Sequence, residues 1–188
     1  MFYFMKKILI TGAGGFIGSH LTQILVKKGY KVCALFRYNS SNSKGWLDID
    51  KDESDGHYES LFCDLGDKDF LNEALKKKDI VFHLGALIGI PYSYKAVESY
   101  IKSNIIGTHN VLEGCIKNNI SHLIHTSTSE VYGTPIKLPI NENNILQPQS
   151  PYAATKLAAD QLAMSYHKSF DLPLTIIRPF NNFGPKTI

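Results

Sequence analysis

Tyr152 and Lys156 stand four residues apart, so on a helix they share one face. A phenol with a cation beside it has its phenolate favoured and can take a proton from an alcohol. Upstream lies Thr126-Ser127-Thr128-Ser129-Glu130, a run of hydroxyls ending in a carboxylate. Such groups can orient a hydroxylated substrate and exchange a proton with carbon or oxygen. Plainer readings exist for each: a buried tyrosine next to a surface lysine, and a β-prone threonine followed by a capping serine and a surface glutamate. The plainer reading suits Thr126 and suits Glu130 poorly.

These residues need a scaffold, and the chain begins with one. Ile8-Leu9-Ile10 is a short apolar run; Gly12-x-x-Gly15-x-x-Gly18 follows; Phe16, Ile17, Leu21, Ile24 and Leu25 then recur at helical spacing. A strand turning on glycines into a helix presents backbone N–H groups and a positive dipole end to a diphosphate. Strands are predicted at about 6–11, 31–37, 58–63, 79–84, 122–127 and 174–179, and helices at about 16–28, 67–77, 96–118 and 152–169. The strands are apolar on both faces, as in a parallel sheet covered by helices. Gly29, Asp67 and Pro151 mark helix ends. The stretch from Tyr38 to Gly56 is polar and reads as a long loop. The fold class is therefore α/β, a doubly wound parallel sheet with right-handed crossovers. The helix carrying Tyr152 follows the fifth strand, whose carboxyl end carries the Thr128–Glu130 run. Ligands of such sheets bind outside those strand ends.

At 188 residues, the chain fits one domain, 1–188. A net charge of +3 is too small to point to nucleic acid as a partner. No Asp or Glu precedes Asp48, whereas Lys6, Lys7, Lys27, Lys28, Lys31, Arg37 and Lys44 do, which suits a phosphate-bearing ligand. Cys33, Cys63 and Cys115 form no metal pattern and no disulfide framework, and a cytoplasmic location is expected. The first residues do not read as a secretory signal, and no apolar run reaches the ~18–20 residues that cross a bilayer.

Taken together, the Gly12/Gly15/Gly18 turn, Cys63-Asp64-Leu65, His83-Leu84-Gly85-Ala86, Asn104-Ile-Ile-Gly-Thr108, Thr128-Ser129-Glu130, Tyr152-x-x-x-Lys156 and Arg178-Pro-Phe-Asn181 resemble the extended short-chain dehydrogenase/reductases, the nucleotide-sugar epimerases and dehydratases. The motifs run in that family's order along essentially the whole chain. The resemblance implies bound NAD or NADP and a nucleotide-activated hexose as substrate. Gly12, Gly15, Phe16, Ile17 and Gly18 would cradle the cofactor, with Asp64 on adenine, Leu65 beside it, and Leu84, Gly85 and Ala86 along the dinucleotide. Tyr152 would be the catalytic base. Lys156 would hold the ribose and lower the tyrosine pKa. Thr128 would bond the substrate oxygen at C4, with Asn181 and Tyr92 also on the substrate; packing is the other reading of Tyr92. The implied reaction oxidises C4, eliminates water across C5 and C6 with Glu130 as base, and reduces C6. Relatives often dimerise through two helices, here those near 96–118 and 152–169.

Closer likeness comes from Tyr38 to Asp48, Ala86 to Tyr94 and Gln147 to Tyr152, which are similar to bacterial GDP-N-acetylglucosamine 4,6-dehydratases of legionaminic acid synthesis. Two departures stand out. Ser129 occupies a position where many such dehydratases carry the aspartate that protonates the leaving hydroxyl, so Glu130 would serve as both base and acid. The triple also suits UDP-glucuronate decarboxylases; 4-epimerisation is a third reading. Phe36-Arg37 replaces the acid that takes a ribose 2′-OH; Arg37 either pairs with a 2′-phosphate, favouring NADP, or stacks on adenine. The family usually exceeds 300 residues and carries a C-terminal substrate lobe, of which Arg178 to Gly184 alone is expected among these 188 residues. The 188 residues alone are therefore expected to bind cofactor with weak or no turnover, and a non-catalytic dinucleotide-binding module is the alternative of another class.

Overall fold

A computed structural model describes residues 5–49 and 57–185. Six parallel strands, β1 (Lys7–Thr11), β2 (Lys31–Phe36), β3 (Tyr58–Phe62), β4 (Ile80–His83), β5 (His122–Thr126) and β6 (Leu174–Ile177), lie in the order β3-β2-β1-β4-β5-β6. Between them run α1 (Phe16–Lys27), α2 (Trp46–Ile49), α3 (Lys68–Leu75), α4 (Ile90–Ser93), α5 (Val97–Tyr100), α6 (Gly107–Lys117) and α7 (Pro151–Phe170). This is the Rossmann-like doubly wound sheet that the alternation of apolar runs predicts.

Strand residues alternate between two cores. Leu9 pairs with Cys33 and Val81, and Val81 with Leu123; this row faces Leu71 and Leu75 of α3, Val111 and Leu112 of α6 and Ala163 of α7. Ile8, Ile10, Val32, Ala34 and Phe36 face the other way, onto Leu25 of α1 and Leu47 of α2. Because β1 and β4 are neighbours while their connections leave in opposite directions, a crevice opens at their carboxyl ends.

Helix boundaries follow local chemistry. Asp67 caps α3 by accepting from the Phe70 N–H at 3.0 Å, Ser150 caps α7 by accepting from Ala153, and Gly29 ends the first helix at a φ of +83°. Three expectations change. The helix expected over 96–118 is α5, a π-helical stretch Ile101–Ile106, then α6. Its wide turns accommodate Asn104, whose side chain bonds both backbone groups of Leu87 rather than facing solvent. The polar loop after Tyr38 contains α2, anchored because Trp46 N–H donates to the Gly14 carbonyl and Leu47 is buried; residues 50–56 lie outside the described residues, as do 1–4 and 186–188. The last strand stops at Ile177, two residues short of the predicted end.

Candidate active site

The glycine turn is built around close backbone approach. Gly12 has a φ of +70°, and a Cβ there would sit 2.8 Å from the Gly85 nitrogen; a Cβ on Gly18 would meet the Gly12 carbonyl oxygen at 2.2 Å. At Gly15 a Cβ would meet the Gly12 carbonyl oxygen at 3.4 Å, an ordinary contact, and the residue is exposed at the helix entrance. Helix α1 has neither a side-chain cap nor an acid in its first turn, so the N–H groups of Phe16, Ile17 and Gly18 keep their attraction for an anion. Across the crevice, Gly85 donates to Thr11 Oγ1 at 3.0 Å and Leu65 packs against both Gly85 and Gly107. Leu84 and Gly85 are thereby brought against the glycine turn, with Ala86 next in the chain. These residues fit a dinucleotide: bare backbone, an uncapped helix end and an apolar wall.

Along the rim, the stretch after β2 is a clamped shelf. Asn39 bonds the carbonyls of Arg37 and Ser43, Asp48 accepts from Ser43 Oγ and the Lys44 N–H, and Gly14 lies so close to Lys44 that a Cβ would meet its carbonyl at 2.6 Å. Arg37 sits exposed at the shelf's start. Asp64 is also exposed, and its Oδ1 accepts from Gly66 N–H at 2.7 Å.

Helix α7 carries Tyr152, Lys156 and Asp160 at four-residue spacing, all buried against the end of β5. Small residues on the same helix, Ala159 and Ala163, are fully buried and let it approach closely. The Lys156 ammonium donates to the Thr126 carbonyl at 2.7 Å. One residue on, Ser127 Oγ donates to Asp160 Oδ2 at 2.9 Å. The 3₁₀ turn Ser129–Tyr132 then swings Glu130 outward, with Thr128 Oγ1 accepting from the Glu130 N–H.

Tyr152 faces Thr128, Glu130 and Tyr100. Burial raises its pKa, hydrogen bonding with Thr128 opposes that, and the neighbouring Glu130 and Tyr100 add to the rise. The expected lowering by Lys156 is therefore corrected in this structure: the ammonium is engaged with Thr126, and burial of the phenol outweighs what favours its phenolate. Lys156 itself is pulled down to about 8 by burial, opposed by the nearby Asp160.

Thr128, Ser129, Glu130, Tyr152 and Lys156 thus come from separate segments to one rim. Tyr92 joins through aromatic contacts, its ring 6.2 Å from Tyr100, which lies 6.3 Å from Tyr152. Asn181 lies exposed beyond β6, and no hydrogen bond among the described residues ties it to Tyr152.

Two buried systems escaped the sequence reading. His83 is one end of a network: Thr108 donates to the Asn104 carbonyl, so its oxygen accepts from His83 Nε2, and Nδ1 accepts from Thr11. Burial keeps this imidazole neutral by pulling its pKa well down. Asn104 continues to Thr155, whose hydroxyl bonds the Tyr152 carbonyl at 2.8 Å. The second system is Asp160 with Ser127, Arg178 at 3.0 Å and His125 at 3.3 Å. Burial alone would raise Asp160, but the His125, Ser127 and Arg178 contacts hold it below the usual carboxylate range. The signal for Asp160 was present: it lies eight residues after Tyr152, two turns along the same helix face.

A family model described as GDP-mannose 4,6 dehydratase matches residues 9–188. The chain belongs to this family. It is 37% identical over 199 residues to a dTDP-D-glucose 4,6-dehydratase of Dictyostelium discoideum, covering 97% of this chain and 45% of that protein. It is 38% identical over 184 residues to protein CapI of Staphylococcus aureus, covering 95% of this chain and 55% of that protein. Among solved structures, UDP-N-acetylglucosamine 4-epimerase from Methanobrevibacter ruminantium superposes with a TM-score of 0.88 at 35% identity over 97% of this chain and 57% of that one. DesIV, a dTDP-glucose 4,6-dehydratase from Streptomyces venezuelae with NAD and TYD bound, gives 0.84 at 29% over 95% of this chain and 57% of that one. The chain spans about half the length of these relatives. The family places it among the extended short-chain dehydrogenase/reductases, nucleotide-sugar dehydratases and epimerases on a Rossmann-like sheet. No described helix is long and apolar enough to cross a membrane.

Proposed function

We propose that the chain is the NAD(P)-binding domain of a cytoplasmic nucleotide-sugar 4,6-dehydratase. The observation that carries this reading is the convergence of Thr128, Glu130, Tyr152 and Lys156 at the carboxyl end of β5, beside the crevice bounded by Gly12 and Gly85. Gly12, Gly15, Phe16, Ile17 and Gly18 would hold the diphosphate, Leu65, Leu84, Gly85 and Ala86 the apolar faces, Asp64 the adenine and Lys156 the ribose. Bound NAD(P) supplies a hydride acceptor at C4 that later serves as donor at C6. Thr128 positions the C4 hydroxyl and Tyr152 takes its proton. The resulting 4-keto group acidifies the C5 proton, which Glu130 removes. Glu130 then returns a proton to the departing C6 hydroxyl, since Ser129 is too weak an acid for that step.

Solved relatives carry NAD. For this chain Arg37 favours NADP, with NAD the other choice. The substrate suggested by the Tyr38–Asp48 and Pro91–Tyr94 stretches is GDP-linked N-acetylglucosamine, with Tyr92 and Asn181 on the sugar, and a homodimer through the 96–118 and 152–169 helices is the expected assembly.

The test is a panel of GDP-, UDP-, dTDP- and CDP-sugars presented to the full-length protein, with mass detection of the loss of one water. Tyr152→Phe in that protein should abolish turnover while retaining cofactor; an active Tyr152→Phe enzyme would sink the proposal. Carbon dioxide from a UDP-glucuronate substrate would identify a decarboxylase, and an isomeric product without mass change an epimerase. The 188 residues alone should bind NAD(P)H with little turnover.

A further inference from the structure

Among the described residues, the most buried carboxylate lies behind Lys156, in a cluster that the reaction above does not use. Asp160 is fully buried one helical turn beyond Lys156, on the same face of α7. The two side chains dock on consecutive residues of one strand end, Lys156 on the Thr126 carbonyl and Asp160 on the Ser127 hydroxyl. Around this pair the described groups that can carry charge are Tyr152 on α7, His83 on β4, His125 on β5 and Arg178 just beyond β6. His83, bonded to Thr11 and Thr108, is held neutral by burial. His125 is fully buried, its Nε2 3.3 Å from Asp160 Oδ1, and burial disfavours its cation although the Asp160 contact opposes this. One carboxylate therefore stands between two cations, Lys156 and Arg178. Arg178 takes its Oδ2 directly and rests its guanidinium 5.3 Å from the Tyr132 ring centre.

We propose that Asp160 is a positioning residue of this active site: its buried carboxylate, shared with Arg178, keeps Lys156 an ammonium. A buried ammonium whose one hydrogen-bond partner is a carbonyl loses its proton readily unless an anion lies close. As a neutral amine, Lys156 would give weaker hydrogen bonds to ribose hydroxyls and no electrostatic support to a Tyr152 phenolate. The consequence for catalysis rests on the proposed role of Lys156; the charge relation itself does not.

Two variants of this chain test it with opposite signs. Lysine Cε resonances are followed through pH 6–11 on ¹³C-lysine-labelled protein, Lys156 being assigned by the signal that Lys156→Met removes. The wild-type signal should titrate near pH 8. Asp160→Asn should move that midpoint down by about one unit or more, and Arg178→Gln, which leaves Asp160 to Lys156 alone, should move it up. With Asp160→Asn already present, Arg178→Gln should raise the midpoint less than it does alone, since only the loss of a like charge remains. NADH binding, read by its fluorescence, should weaken about tenfold at pH 8 in Asp160→Asn and recover as pH falls. An unchanged midpoint in folded Asp160→Asn, or in Arg178→Gln should the first variant not fold, overturns the proposal. Failure of the wild-type chain to bind NADH would instead overturn the cofactor reading and leave the titration to decide the charge relation.

Discussion

The half of the sheet containing β1 to β3 and the half containing β4 to β6 solve different problems. In the first, the working atoms are backbone: Gly12, Gly14, Gly18 and Gly45 all pass so near carbonyls or amides that a Cβ would intrude at 2.2 to 2.8 Å. In the second, the working atoms are side chains, and His83, His125, Lys156 and Asp160 are all buried. The first half is limited by space and the second by charge. Substitutions in the glycine turn should therefore act alike at every pH, whereas those around β5 and α7 should act through pH.

The largest effect expected is at Gly18. A Cβ 2.2 Å from the Gly12 oxygen cannot be relieved by rotating a side chain, because both partners are backbone. Gly18→Ala should cost about 3 kcal/mol or more in urea denaturation and remove NADH binding. The contrast between halves breaks if the loss differs between pH 6.5 and 8.5.

Lys156 supplies the opposite case. Its folded pKa of about 8 lies below the ordinary 10.5, so between those values the unfolded chain holds a proton that the folded chain has lost. Stability must therefore rise with pH through this window and be lowest below pH 8. The gap corresponds to about 3 kcal/mol. Lys156→Met cannot show that rise, so the wild type should gain on the variant as pH goes from 7 to 10. A difference flat with pH would mean that the folded amine keeps its proton as tightly as the unfolded chain does, so that burial does not depress its pKa.

A smaller, pH-independent effect belongs to Asn104, the seam between the stretch after β4 and α7. Asn104→Ala leaves the Leu87 amide and carbonyl without their partners and frees Thr155 beside Tyr152. About 2 kcal/mol of stability should be lost. NADH binding should survive in part if the seam is structural; full loss would show that the seam shapes the crevice itself.

How much of this was legible in the sequence follows the same division. The glycine turn, the six strands and α7 are local: each is set by residues a few positions apart, and period and spacing expose them. The pairing of Tyr152 with Lys156 was likewise legible as helix geometry. Asn104 was not, because a π-helical stretch changes the repeat on which face assignments rest, and its partners Leu87 and Thr155 lie 17 and 51 residues away. The direction of the Tyr152 shift was not legible either; spacing says a cation is near, but only burial and the Thr126 bond decide which effect wins. Asp160 lay between, visible as a position on the right face and silent about Arg178.

The exposed shelf tests whether the first half reads charge at all. Arg37 stands at its entrance, at the end of β2, while Asn39, Ser43 and Asp48 fix the backbone that follows. An exposed guanidinium facing a 2′-phosphate is screened, so its effect should be modest: Arg37→Ala should weaken NADPH about tenfold at low salt, with less change above 0.5 M salt, and leave NADH nearly untouched. Equal weakening of both cofactors would mean that Arg37 packs on adenine instead. In that event the first half is a shape alone, and every charge-dependent choice this chain makes lies on the β5 side of the crevice.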